Sequence, residues 1–199
     1  MKETMNLPPS GSDSQAFHRL AGPVQRWIWE KGWSELREVQ ERAVDAVMGG
    51  EADLIVSAST AGGKTEAAFL PLISQVIERP GEGGFDLIYV GPLKALINDQ
   101  WGRLQDLCER AEVLVTPWHG DISAGIKARA RARPRGILLI TPESLEALFV
   151  LRGPEVPRLF ASTRAVVIDE LHALLDSERG IHLRSLLTRL EIACGRRIR

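Results

Sequence analysis

A doubly wound α/β domain is the fold class this sequence predicts, and three observations predict it. Short apolar runs recur along the chain in the manner of buried strands. Longer segments with helical spacing separate them. The first run leads directly into a glycine-bearing loop and then a helix-forming segment, the strand–loop–helix order of a phosphate site. Such alternation implies a mostly parallel sheet joined by right-handed crossovers, with helices on both faces.

Taken in order, residues 1–15 are polar, contain Pro8, Pro9 and Gly11, and have no apolar stretch. They are expected to be a disordered arm, not a signal peptide. Residues 16–199 follow as one domain. Val39, Ala43 and Val47 share a helical face, and Leu54–Val56 is the first expected strand. After the glycine loop a helix begins near Glu66–Ala67–Ala68, and a break at residues 79–84 precedes the strand Leu87–Val90. Val113–Val115 is the third expected strand, and Ile137–Ile140 the fourth, entered through Arg133–Pro134–Arg135–Gly136. Ala165–Ile168 is the fifth. Leu183, Leu186, Leu187 and Leu190 then line one face of a last helix, and the tail from Gly195 reads as an element cut short.

A chain of 199 residues suits a single core, and 44% hydrophobic with 26% charged residues is ordinary for a folded protein. Lys and Arg total 25 against 26 Asp and Glu, a net charge of -1, so any contact with nucleic acid must be local. Cys108 and Cys194 stand far apart with no C-x-x-C spacing, which argues against a disulfide framework or a zinc site and fits a cytoplasmic location. No stretch has membrane-spanning length.

The loop reads Ala58-Ser59-Thr60-Ala61-Gly62-Gly63-Lys64-Thr65. Its residue types match phosphate chemistry: glycines let backbone N–H groups face the anion, the new helix points its positive end there, and Lys64 adds a charge for the β and γ phosphates. Thr65 is placed to put its hydroxyl on Mg²⁺. Ala58 stands where the general pattern has its first glycine.

Asp169-Glu170-Leu171-His172 directly follows the strand Ala165–Ile168, so two carboxylates emerge at a strand's C-terminal end, where ligands bind in open α/β sheets. Alone, such a pair is more often a helix cap or a solvated turn. Beside Lys64 and Thr65 it reads as a site in which Asp169 holds Mg²⁺ and Glu170 orients or deprotonates the attacking water. His172 either faces the sheet edge or bridges to a second domain.

These two boxes resemble those of the superfamily 2 helicases of the DEAD/DEAH-box type, whose phosphate loop opens with alanine and whose acidic box reads D-E-A-D or D-E-x-H. The resemblance implies a RecA-like P-loop domain that binds ATP and Mg²⁺ and drives a nucleic-acid motor. Ala61 stands where that family usually has glycine. Upstream, Trp33, Leu36, Arg37 and Gln40 resemble the family's adenine-reading segment, since a glutamine amide pairs with adenine's donor and acceptor together. Without the resemblance, Gln40 reads as part of a polar helix face.

Further segments are similar to the family's nucleic-acid contacts. Pro92, Leu93 and Lys94 form one, after the second strand, and Thr141, Pro142, Glu143 and Ser144 form another, after the fourth. Each offers backbone N–H groups at a helix start, and helix capping explains the same residues. His119 and Gly120, within Trp118–Asp121, resemble a loop that braces the strand backbone, and His119 reads equally as a loop histidine satisfied by its own hydrogen bonds. Lys127, Arg129, Arg131, Arg133 and Arg135 place five positive charges close together, read first as a solvated helix face and second as a phosphate-tracking patch.

From Trp33 to Cys194 the chain is most similar to the large helicase-related (Lhr-like) group, which implies 3′ to 5′ movement on DNA or RNA–DNA hybrids. The family's Ser-Ala-Thr motif, expected just after Arg199, is absent, as is a second RecA-like domain. By that resemblance the domain is C-terminally incomplete, needs its second domain in cis or in trans for turnover, and binds single-stranded DNA or RNA without a membrane partner. The alternative is a binding or regulatory module without turnover.

Overall fold

The computed structural model describes residues 14–58 and 62–199. The arm expected at residues 1–13 and the loop residues Ser59, Thr60 and Ala61 lie outside the described residues. The chain divides into two compact units, Met1–Pro71 and Leu72–Arg199.

The first unit holds α1 (Gln15–His18), α2 (Gly22–Glu30), α3 (Glu38–Gly49) and the start of α4 (Lys64–Glu78). Ser14 caps α1 by accepting the Phe17 N–H at 3.4 Å, so residues 14 and 15 belong to an element and not to the arm. Ala43, Val44 and Val47 form the buried stripe of α3, with Gln40 one turn earlier on the same face, while Val39 is only half-buried. Leu54–Val56 is not a strand. Among the described residues nothing pairs with it, and Ile55 is 81% exposed. An apolar run becomes a strand only when a neighbour takes its N–H and C=O groups.

The second unit is built on β1 (Leu87–Val90), α5 (Lys94–Arg110), β2 (Val115–Trp118), α6 (Ala124–Ala132), β3 (Ile137–Ile140), α7 (Pro142–Arg152) and α8 (Val156–Leu159). It ends with β4 (Ala165–Ile168), α9 (Leu171–Leu174) and α10 (Glu178–Cys194). The strands form a parallel sheet in the order β2-β3-β1-β4, with Leu87 opposite both Ile137 and Ala165. Both faces are covered. Ile88, Val90, Leu138 and Ile140 pack with Leu145 and Leu148 of α7 and Leu183, Leu186 and Leu190 of α10. The alternate residues Leu87, Tyr89, Ile137 and Leu139 are buried on the opposite face, where α5 lies against β2 and β3.

The strand expected at Val113–Val115 begins and ends later, because Val113 closes α5: its N–H donates to the Cys108 C=O at 2.8 Å. Thr116, Pro117 and Trp118 extend β2, and Pro117 is tolerated because β2 is an edge strand that needs no donor on its outer side. At the other edge, the Val166 N–H donates to the Arg199 C=O at 2.7 Å and the Arg199 N–H to the Arg164 C=O at 3.2 Å, so the tail already pairs with β4.

Asp86 joins the entries of β1, β3 and β4. Its buried carboxylate accepts the Gly136 N–H at 2.8 Å and the Gly81 N–H at 3.0 Å, with the Arg164 guanidinium at 3.5 Å. Gly136 itself has φ +70°, and a Cβ there would lie 2.2 Å from the Leu114 carbonyl oxygen. Asp86→Ala strands buried donors and is expected to lower the unfolding free energy by about 3 kcal/mol in a denaturant melt. Gly136→Ala is expected to cost at least about 2 kcal/mol in the same measurement.

Candidate functional site

In the first unit the described part of the glycine loop converges on Gln40. Gly63 has φ +81°, and a Cβ on it would lie 2.6 Å from Gln40 Nε2, so both its conformation and its close approach demand glycine. Gln40 is 2% exposed, and its Oε1 accepts the Arg37 N–H at 2.9 Å. The amide therefore sits beneath the loop and does not lie on a solvated helix face. Gly62 and Gly63 lead into α4, whose first residues are Lys64 and Thr65. The Lys64 ammonium donates to the Ala58 C=O at 2.9 Å. First-turn N–H groups of a helix have no acceptor within it, so this corner combines oriented donors with a cation, the donor set a phosphate chain requires.

In the second unit every strand delivers sequence-predicted residues at its C-terminal end: Pro92, Leu93 and Lys94 after β1, His119 and Gly120 after β2, Thr141 to Ser144 after β3, and Asp169 to His172 after β4. Parallel pairing puts these ends on one edge of the sheet.

The Asp169 carboxylate is held at both oxygens. Oδ2 accepts the Tyr89 hydroxyl at 2.6 Å and Oδ1 accepts the Glu170 N–H at 2.9 Å. Tyr89 reaches it from β1, where it pairs in register with Val167. Burial, then the bond to Asp169, pushes the Tyr89 hydroxyl far above the usual phenol range, so it remains a donor. Glu170 takes the left-handed conformation at φ 49°, ψ 41°, a strained state for a side-chain-bearing residue and one that recurs at functional sites. His172 is largely exposed, with Nδ1 3.4 Å from Glu170 Oε2. Among the described residues no group of three or more His, Cys, Asp or Glu gathers for a metal. One carboxylate suits Mg²⁺, which keeps waters and shares its shell with substrate phosphates.

The remaining predicted residues form linked pairs. Lys94 Nζ donates to Asp121 Oδ1 at 2.8 Å, both side chains being exposed, and lies against Gly120. Thr141 caps α7: its Oγ1 accepts the Ser144 N–H at 3.4 Å and donates to Ser144 Oγ at 3.1 Å, with Pro142 at the first helical position. Glu143 is occupied by Arg179, whose guanidinium also donates to the Pro92 carbonyl. Leu93 is exposed at the N-cap of α5. In the basic run, Lys127 lies over the Trp118 ring and Arg131 pairs with Glu155, while Arg129, Arg133 and Arg135 are exposed.

His119 is buried, at 3% exposure. Its Nε2–H donates to Asn98 Oδ1 at 3.0 Å and its Nδ1 accepts the Asp121 N–H at 3.4 Å. Both nitrogens are thus committed in the neutral ring. Burial lowers its proton affinity; Asp121 opposes this, and Lys94 and Lys127 add to it. Between the ordinary value of 6.5 and the lower folded one, the unfolded chain binds more protons. Stability from His119 is therefore complete above 6.5 and drains as pH falls toward the folded value. The melting temperature is expected to drop by about 3 °C from about pH 7 to about pH 5, and by less in His119→Gln; parallel curves for the two proteins would contradict this.

Two residues in these networks escape sequence reasoning. Tyr89 is the chain's only tyrosine and looks like strand filler, its hydroxyl being the one polar tip in Leu87–Val90. Arg179 belongs to no motif, and nothing local marks it.

A family model described as DEAD/DEAH box helicase matches residues 37–198. The ATP-dependent helicase Lhr-Core protein 2 of Thermococcus barophilus is 31% identical over 92% of this chain, and the Lhr-Core helicase of Methanothermobacter thermautotrophicus is 30% identical over 92%. The chain spans 23% and 22% of those two relatives. The structure of Mycobacterium smegmatis helicase Lhr bound to ssDNA and AMP-PNP superposes with a TM-score of 0.79 at 28% identity, covering 92% of this chain and 24% of that one. The helicase MrfA bound to DNA gives 0.78 at 26%, covering 89% of this chain and 25% of that one.

Proposed function

The chain belongs to the DEAD/DEAH box helicase family, and from that premise we propose that it is the ATP-binding first RecA-like domain of a nucleic-acid motor. The observation that carries the reading is the corner after β4, where Asp169 is gripped at both oxygens and Glu170 is held in a left-handed turn. A carboxylate so oriented, beside a second one on a strained backbone, is built for phosphoryl transfer to water.

Each residue then has a task. Lys64 neutralises charge on the β and γ phosphates, and the first-turn N–H groups of α4 hold their oxygens. Ala58, Ser59, Thr60, Ala61, Gly62 and Gly63 are the residues that bind the phosphates in this reading, and Gln40, the adenine-pairing residue, packs against Gly63. Asp169 and Thr65 would hold Mg²⁺, which supplies positive charge to the phosphates when bound. Glu170 orients the attacking water and takes its proton. Tyr89 keeps Asp169 aimed. His172, exposed beside Glu170, faces a following domain. Pro92, Leu93, Lys94, His119, Gly120, Thr141, Pro142, Glu143 and Ser144 form the face that holds a single strand of DNA or RNA by its backbone. The single-stranded DNA bound in the Mycobacterium smegmatis Lhr structure and the DNA bound in the MrfA structure favour a DNA-directed motor.

A second RecA-like domain completes the site, in cis or in trans, with an arginine for the transferring phosphoryl group. Such residues contribute about 10³ to 10⁵ in rate. Among the described residues no helix is long and apolar enough to cross a membrane.

Titration calorimetry with ATP and Mg²⁺ tests the reading. The chain is expected to bind, Lys64→Ala to lose at least about tenfold in affinity, and Tyr89→Phe to need several-fold more Mg²⁺ for the same affinity. A folded wild type that binds no nucleotide would overturn it. Added single-stranded DNA or RNA then identifies the preferred strand.

A further inference from the structure

Arg179 lies near the start of α10, shortly after the Asp169–His172 box. Its Nη2 donates to the Pro92 carbonyl at 2.7 Å and to Glu143 Oε1 at 2.7 Å, and its Nε donates to the same Glu143 oxygen at 3.1 Å. One planar fork thus joins the turn after β1 to the turn after β3. Side chains of Arg179 and Glu143 are both substantially exposed, so the ion pair by itself stabilises the fold little. Its value is geometric.

The corner that presents Arg179 is rigidly built. Ser177 Oγ accepts the Gly180 N–H at 3.2 Å and donates to the Leu174 carbonyl at 2.8 Å. A Cβ at Gly180 would lie 1.8 Å from that carbonyl oxygen, so no other residue fits there without moving the backbone. Asp176 turns the chain at φ 53°. With its charge answered by Glu143 and one N–H given to a backbone carbonyl, Arg179 is poorly disposed to be a phosphate ligand itself.

We infer that Arg179 is a positioning residue of the nucleic-acid face, fixing the spacing between the Pro92–Lys94 turn and the Thr141–Ser144 turn so that both grip one strand backbone. This rests on the nucleic-acid reading above. Lysine cannot replace it, because an ammonium is a point charge without the fork that spans two acceptors in fixed directions.

The test is fluorescence anisotropy of the full chain with a labelled oligothymidylate across a salt series, with melting temperatures recorded for every variant. Glu143→Gln, Arg179→Lys and Arg179→Gln are each expected to weaken binding by about tenfold, the scale of one charge-assisted hydrogen bond. Melting temperatures and the slope of log K against log salt are expected to stay close to wild type. The Glu143→Gln result is decisive in sign. It removes a negative charge from a phosphate-facing surface, so tighter binding means that Arg179 had been masked as a direct phosphate ligand, and the inference fails. A salt slope reduced by about 0.7 in Arg179→Gln overturns it in the same way, since that is the loss of one phosphate contact. Affinity losses that track losses in melting temperature would reduce Arg179 to a structural role. Unchanged affinity in all three variants overturns the inference while leaving the nucleic-acid reading standing; no binding by wild type overturns both.

Discussion

Everything at the functional edge of the second unit depends on how its strands are held at the opposite end, and there the buried Asp86 carboxylate is the fixed point. It sits just before β1, takes the Gly136 N–H just before β3, and lies beside Arg164 just before β4. Parallel strands of equal length, aligned at their entries, finish level at their exits. The residues following β1, β3 and β4 are therefore delivered to one edge by a constraint at the other.

At that edge the side chains are chained together more than they are presented singly. Tyr89 crosses from β1 to Asp169 after β4, Arg179 crosses from α10 to the turns after β1 and β3, and Lys94 meets Asp121 beyond β2. Carboxylates and cations that read as independent ligands are mutual partners. Such pairs orient groups at small cost because the scaffold beneath them is already close-packed. Glu143 illustrates the consequence: on the face proposed to hold a strand backbone its negative charge is electrostatically awkward, and the Arg179 guanidinium answers it.

The first unit shows the same sharing of groups at smaller scale. Gln40 combines three properties that seldom coincide: it occupies a buried helical position, its oxygen closes the N-terminus of α3, and its nitrogen packs under Gly63. A buried amide is tolerable only when its groups are engaged. Gly63 thus rests on a helix cap.

The motifs, the parallel α/β class and the residues at each strand exit were legible in the sequence, because they depend on local order: an apolar run, then a turn, then glycine, lysine or acid at a set distance. What tertiary structure alone decided was pairing. Leu54–Val56 has the composition of a strand yet has no ladder partner among the described residues, Val113 was claimed by the end of α5, and the polar Gln40 lies on the buried face of its helix. Tyr89 and Arg179 acquired roles from partners 80 and 87 positions away, which no local pattern encodes. Periodicity records which face of an element is apolar; a hydrogen bond between elements depends on where another part of the chain comes to rest.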